Sequence, residues 1–107
     1  MANTFVNKSA QIGTAATTFY TSPASTVSIV HSLYLSNTDA SNSVRATIQL
    51  YDNSAASTLS IVSNAIIGPG SSLILDKPVN LEESDALKIS ASEANKLEVV
   101  GSILQQT

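Results

Sequence analysis

Between Val44 and Tyr51 the chain alternates strictly: Val44, Ala46, Ile48 and Leu50 fall on one side, Arg45, Thr47, Gln49 and Tyr51 on the other. Successive side chains of an extended chain point to opposite faces, so this run reads as a β-strand with one apolar face. Turn-rich residues bound it on both sides, from Asn37 to Asn42 and from Asp52 to Ser57. The run from Val27 to Ser36 precedes it, with Ile29, Leu33 and Leu35 expected inward, and the two read together as a hairpin.

The same signal recurs along the chain. Phe5 to Ile12, ending at Gly13, and Thr17 to Thr21, ending at Ser22-Pro23, read as the first two strands. Thr58 to Val62 and Ala65 to Ile67 form one strand broken at Ser63-Asn64, and Ser72 to Leu75 follows. Between them, Gly68-Pro69-Gly70 is a strong turn, because Pro fixes φ and Gly accepts positive φ; it reads as a hairpin turn. Pro78 makes the stretch around it an edge or a bend. Ala86 to Ser92 places Leu87, Ile89 and Ala91 on one face, and Lys96 to Leu104 does so for Leu97, Val99, Gly101 and Ile103. A capping-box sequence from Ser90 to Glu93 and a stripe of Ala94, Leu97, Gly101 and Leu104 offer a helix as the competitor for this last segment. Val99-Val100 and the mid-segment Gly101 argue against it.

These signals predict an all-β chain: a single antiparallel β-sandwich, jelly-roll or Ig-like, of about eight short strands. No helix-length amphipathic segment is available as a crossover for a parallel sheet. At 107 residues, such a chain buries roughly 65% of its unfolded surface, which suits one core and no second lobe. Residues 1–107 are therefore expected to be one β-sandwich domain, with residues 1–12 either an N-terminal arm or the first strand. The start has no basic region followed by an apolar run, so no secretory signal is expected.

Composition narrows the function. Charged residues make up 12% of the chain, against about 25% in ordinary soluble domains. A surface of Ser, Thr, Ala and Asn is weakly hydrated and tolerates burial against a neighbour, which points to assembly and a homo-oligomer. The net charge is −3, and Lys8, Arg45, Lys77, Lys88 and Lys96 are scattered. No basic stripe exists to neutralise phosphates, so neither nucleic acid nor an anionic membrane is an expected partner. The chain has no cysteine, which removes disulfides, thiolate metal sites and cysteine nucleophiles.

The residues that could carry chemistry read as structural. His31, the one histidine, falls in phase with Ile29, Leu33 and Leu35, as a partly buried, hydrogen-bonded side chain; a bulge near Val30 would turn it outward. Glu82, Glu83 and Asp85 are the densest acidic group, but they lack calcium-loop spacing and read as a solvated turn that Asp39 and Asp52 could join only through folding. Gly68-Pro69-Gly70-Ser71 lacks the Lys-Ser/Thr ending and the helix of a phosphate loop. Asn7-Lys8-Ser9 is a formal glycosylation sequon without a secretion signal. Tyr20, Tyr34 and Tyr51, taken as exposed, offer a weak sugar-binding surface. No catalytic residue, cofactor or metal is expected, and the chain reads as a binding or structural protein and not an enzyme.

The order of motifs adds a resemblance. Phe19-Tyr20-Thr21-Ser22-Pro23 leads into the run from Ile29 to Thr38; Ile67 to Leu75 and Leu81 to Ala91 come later. Over roughly residues 17 to 104 this resembles small β-sandwich virion structural proteins of tailed bacteriophages, particularly those of marine hosts. The resemblance implies a protein that coats or joins other virion proteins: a head decoration or cement protein on the capsid surface, or a neck, tail or baseplate adaptor. It implies a place in the virion, assembled in the host cytoplasm, with the major capsid or neck and tail proteins as partners. A host-surface glycan-binding module is the remaining alternative. Contacts are expected in Ala2 to Lys8, Asn37 to Asn42 and Asp52 to Ser57.

Overall fold

The alternating stretches become strands, and the strands stack as two antiparallel sheets. The computed structural model describes residues 2–107, which form β1 (Asn3–Ile12), β2 (Thr17–Thr21), β3 (Val27–Asn37), β4 (Val44–Asp52), β5 (Ser57–Ile67), β6 (Ser72–Leu75), β7 (Val79–Leu81), β8 (Ala86–Ala91) and β9 (Leu97–Gln106). The first sheet runs β1-β9-β3-β6, with β7 also on β3; the second runs β2-β8-β4-β5. The chain changes sheet at β1–β2, β2–β3, β3–β4, β5–β6, β7–β8 and β8–β9. That order is a jelly roll, which decides between the two sandwich topologies expected from sequence. β6 and β7 are two pieces of one edge strand, divided at Asp76-Lys77-Pro78, so nine segments fill eight strand positions. The short β7 was not legible in the sequence.

Two local expectations are corrected by this topology, and two open alternatives are decided by it. β3 and β4 are not a hairpin, because they lie in different sheets, and the turn-rich stretch between them is a crossover. Gly68 to Ser71 is likewise a crossover and not a hairpin turn: the Ser71 N–H donates to the Gly68 carbonyl (3.1 Å), and Gly70 has φ +65° behind Pro69. Pro then Gly at these positions is the signature of a type II turn. Alternation locates strands but carries no information about which strands pair. The N-terminal segment is the first strand and not an arm, since β1 pairs with β9 in unbroken register from Asn3↔Gln106 to Ile12↔Leu97. The last segment is a strand paired on both sides, by β1 and β3, and not a helix.

The core lies between the sheets. Leu33, Leu35, Ile48, Leu87, Ile89, Leu97 and Ile103 are fully buried, following the inward phases expected for β4, β8 and β9. Bulges shift the phase elsewhere, because one extra residue turns every later side chain over. The β3–β9 register slips between Val30 and Ser32, so Ser28 and Val30 face inward before the bulge and Leu33 and Leu35 after it. Ile29, expected inward, is only half-buried. In β2 the bulge falls at Phe19, which lets Phe19 and Tyr20 both enter the core in succession. Asn64, with φ 50°, bulges β5 opposite Thr47, whose hydroxyl accepts from the Asn64 N–H at 3.1 Å.

Gly101 makes room for Phe19. A Cβ there would stand 3.0 Å from Leu33 Cδ2 and 3.1 Å from Phe19 Cε2, and both neighbours are buried. One corner is equally constrained. Asn37, 2% exposed, ends β3 and donates from Nδ2 to the carbonyls of Asn42 (2.9 Å), Ile67 (3.0 Å) and Gly68 (3.1 Å). Its Oδ1 accepts from the Asp39 N–H at 2.9 Å. Asp39 then accepts from Ser41 at 2.8 Å and lies 3.6 Å from Lys96 Nζ. The Ser41 N–H above all, then the Asn42 amides and the Lys96 cation, hold the Asp39 carboxyl below its ordinary value, against the burial that raises it.

Two substitutions test these constraints by urea denaturation. Gly101→Val should lower stability by about 2 kcal/mol, by overpacking against side chains that have nowhere to move. Asn37→Ala should lower it by about 3 kcal/mol, because the carbonyls it satisfies are left without a donor.

Candidate functional site

Folding gathers acidic residues that the sequence keeps apart. Carboxylate oxygens of Asp52, Glu82 and Asp85 lie within 4.8 Å of one another at the β4 end and the β7–β8 corner. Glu83, their expected companion, points elsewhere and accepts from the Ser25 N–H. Asp85 is buried; its Oδ1 accepts from the Asn53 N–H (2.9 Å) and its Oδ2 from the Glu82 N–H (3.0 Å). Asp52 accepts from the Ser54 hydroxyl at 2.8 Å. The bonds at Glu82 and Ser54 close local turns, and the bond from Asn53 lets Asp85 clamp the β4–β5 tip to the β7–β8 corner. Glu82 and Glu83 stay exposed on the turn expected from sequence, and the departure is Asp85, which is buried and builds the corner.

His31 is corrected more sharply. The bulge in β3 turns it outward, where its ring stacks with Phe5 at a centroid distance of 6.4 Å and an interplanar angle of 24°. Among the described residues no hydrogen bond joins it to an acidic side chain. The tyrosines do not share a surface either. Tyr20 is buried; its hydroxyl pairs with Ser28 Oγ at 2.8 Å and accepts from Gln105 Nε2 at 2.7 Å. Ser28 in turn pairs with Ser22 Oγ at 2.9 Å, which makes this a polar plug between the sheets. Tyr51 lies on the second sheet beneath Lys88, whose Nζ is 5.1 Å from the ring centroid, while Tyr34 lies outward on the first sheet.

What remains available is apolar surface, and it falls in two places. Phe5, Val27, Tyr34, Ile74 and Val100 are exposed on the outer face of the first sheet; Leu59, Ile61 and Ile66 are exposed on β5. Register arranges the first group in rows. Ser9, Val100, Tyr34 and Ile74 stand side by side across four strands, and Phe5, Leu104 and Ile29 form a parallel row. Asn7 and Ser102 lie between the two rows. Glu98 is the one charged side chain among the outward positions of this sheet, because seven of the eight acidic residues sit in corners or at strand ends. The second sheet, by contrast, carries Arg45 and Lys88 on its outer face.

The second place, β5, is an edge strand that packs substantially only on β4. No charged residue occurs between Asp52 and Asp76. Soluble proteins usually protect such edges with lysine, proline or cover. The inward phase of β5 runs Ile67, Ala65, Val62, Leu59, and burial falls along it until Leu59 is 67% exposed. The sequence showed the strand but not that it would stand at an edge.

No protein-family model matches the chain, and no curated protein matches its sequence. Solved structures do match its fold. A subunit of the disulfide-linked pili that form Bacillus endospore appendages aligns with a TM-score of 0.60 at 16% identity, covering 99% of this chain and 87% of that one. A chain of the acid-stable capsid of Helicobacter pylori bacteriophage KHP30 aligns with a TM-score of 0.59 at 10% identity, covering 98% and 87%. A chain of infectious bursal disease virus, strain Gx, gives 0.59 at 12% identity, with 97% of this chain covering 32% of that one. At these identities the likeness is one of fold. The chain is an all-β sandwich of the kind also found in viral capsid and pilus subunits.

The acidic corner makes a direct prediction. Asp85→Ala should cost about 3 kcal/mol of folding stability by orphaning two backbone N–H groups. Glu82→Gln, at an exposed side chain, should stay within about 0.5 kcal/mol of the parent. Paired denaturation curves distinguish the two.

Proposed function

We propose that this chain is a non-enzymatic structural protein of a tailed-bacteriophage particle, of the type found in phages of marine hosts. Its role is that of a head decoration or cement protein, which binds the capsid surface in many copies. The observation that carries this reading is the pair of separate apolar surfaces, one with Glu98 as its single charge and the other with none. A monomeric enzyme or transport protein gains nothing from leaving two such surfaces in water, whereas an assembly component needs at least two interfaces. The fold shared with a phage capsid chain and a viral structural chain supports it, as does the resemblance of the sequence motifs to virion proteins. The polar groups support it as well. Asn37 and Asp85 are spent on holding corners, the Tyr20–Ser28–Ser22 group on joining the sheets, and His31 stacks on an exposed ring.

The mechanism is area and repetition, not chemistry. Each copy contributes modest contacts, and a lattice of capsid sites multiplies them. With no cysteine in the chain, cohesion comes from buried surface and hydrogen bonds. The chain's partners are other virion proteins, and its location is the virion after assembly in the host cytoplasm.

Quantitative mass spectrometry of purified particles tests this role. The expected result is a copy number of the same order as the major capsid protein, lowered several-fold by Leu59→Lys. A handful of copies per particle would favour the neck, tail or baseplate adaptor, and absence from particles would refute a virion role.

A further inference from the structure

We infer that the outer face of the first sheet is a self-association surface on which two copies of this chain pack face to face about a two-fold axis. This goes beyond the virion role and does not depend on it, since it concerns the free chain in solution.

Charge is the first argument. Two chains of net charge −3 repel unless they meet where charge is missing, and among the described residues this face carries Glu98 as its one acidic or basic side chain. Neutrality also gives a partner of opposite charge nothing to select. Size is the second. Strands of ten residues at ~3.4 Å per residue, set four abreast at ~4.8 Å, make a face of about 650 Å². Stable interfaces use roughly 600–1,000 Å² from each partner, so one such face lies at the lower end of what a dimer needs.

Register is the third and most specific argument. A two-fold axis lying between the faces, perpendicular to the strands and passing over Ser102, reverses β9 onto its own copy. Val100 then lies over Leu104 of the second copy, and Leu104 over its Val100. On β3, Tyr34 lies over Ile29 in the same way. Ser102 meets itself, so at the middle of β9 and β3 apolar residues cover apolar ones, while towards the sheet's edges Phe5 lies over Ser9 and Ile74 over Asn80. Glu98 falls opposite Gln106, whose amide can donate to it. The two Glu98 carboxylates end at opposite ends of the interface, about 27 Å apart, well beyond a Debye length of about 8 Å. An interface related by such an axis is self-complementary, which is the common way for one surface to close on itself.

Light scattering after size exclusion, on the full chain from about 1 to 100 μM, reads this directly. The expected mass is twice the chain's 11.1 kDa. Val100→Lys should give a monomer with an unchanged circular-dichroism spectrum. Adding Leu104→Glu to it should restore the dimer, because each new lysine then faces a new glutamate across the axis. Leu59→Lys on β5 should leave the dimer intact. A parent that is monomeric throughout, or a larger ring, overturns the inference. So does a dimer that Val100→Lys leaves whole, or one that Leu59→Lys dissociates. Failure of the double variant to re-form the dimer refutes the two-fold register and the inference with it.

Discussion

The buried amide of Asn37 is the interaction on which the arrangement of strands most depends. A jelly roll must carry its chain from one sheet to the other several times, and each crossing exposes backbone groups that no ladder satisfies. At the end of β3, one side chain reaches the carbonyls of Asn42, Ile67 and Gly68. It thereby joins the β3–β4 crossover to the β5–β6 crossover. Its neighbours complete the corner: the Asn37 N–H donates to Ser71, the Thr38 N–H to Lys96 and the Gly70 N–H to Asp39. Three loops remote in sequence meet there. An aspartate of the same shape would present acceptors to acceptors.

Everything that makes the surface available follows from that closure. With β4 carried into the second sheet, β5 can pair only outward, and it becomes an edge with its inward phase uncovered near Leu59. With β9 drawn between β1 and β3, its outward residues join those of both neighbours in continuous rows. The acidic residues are left to the corners, where Asp85 and Asp39 accept backbone N–H groups. A face with a single charge is thus the counterpart of charged, hydrogen-bonded ends.

The strands were legible in the sequence to the extent that period two survives. β4, β8 and β9 keep the alternation over most of their length, with Leu50 only half-buried and Ala86 buried out of phase as the exceptions. β3 loses it at one position. An extra residue at the bulge sends His31 outward and leaves Ile29 half-buried, and nothing in an apolar run marks where such a residue falls. Pairing was not legible either, since a turn-rich stretch serves a hairpin or a crossover equally well. Asp52 joins Glu82 and Asp85 only because β4 and the β7–β8 corner end side by side. The low charge of the chain was plain from composition. That this neutrality concentrates on one face and one edge is a property of register, which becomes visible only when the strands are placed.

The two apolar surfaces have separate proposed occupants: a second copy on the first sheet's outer face, and a different virion protein on β5. A cryo-electron-microscopy reconstruction of the particle at side-chain resolution tests this most directly. The predicted map shows this chain in many copies, with Val100 and Leu104 buried against a symmetry mate and Leu59 buried against the shell. A map in which the chain is present with both surfaces bare to solvent would contradict it.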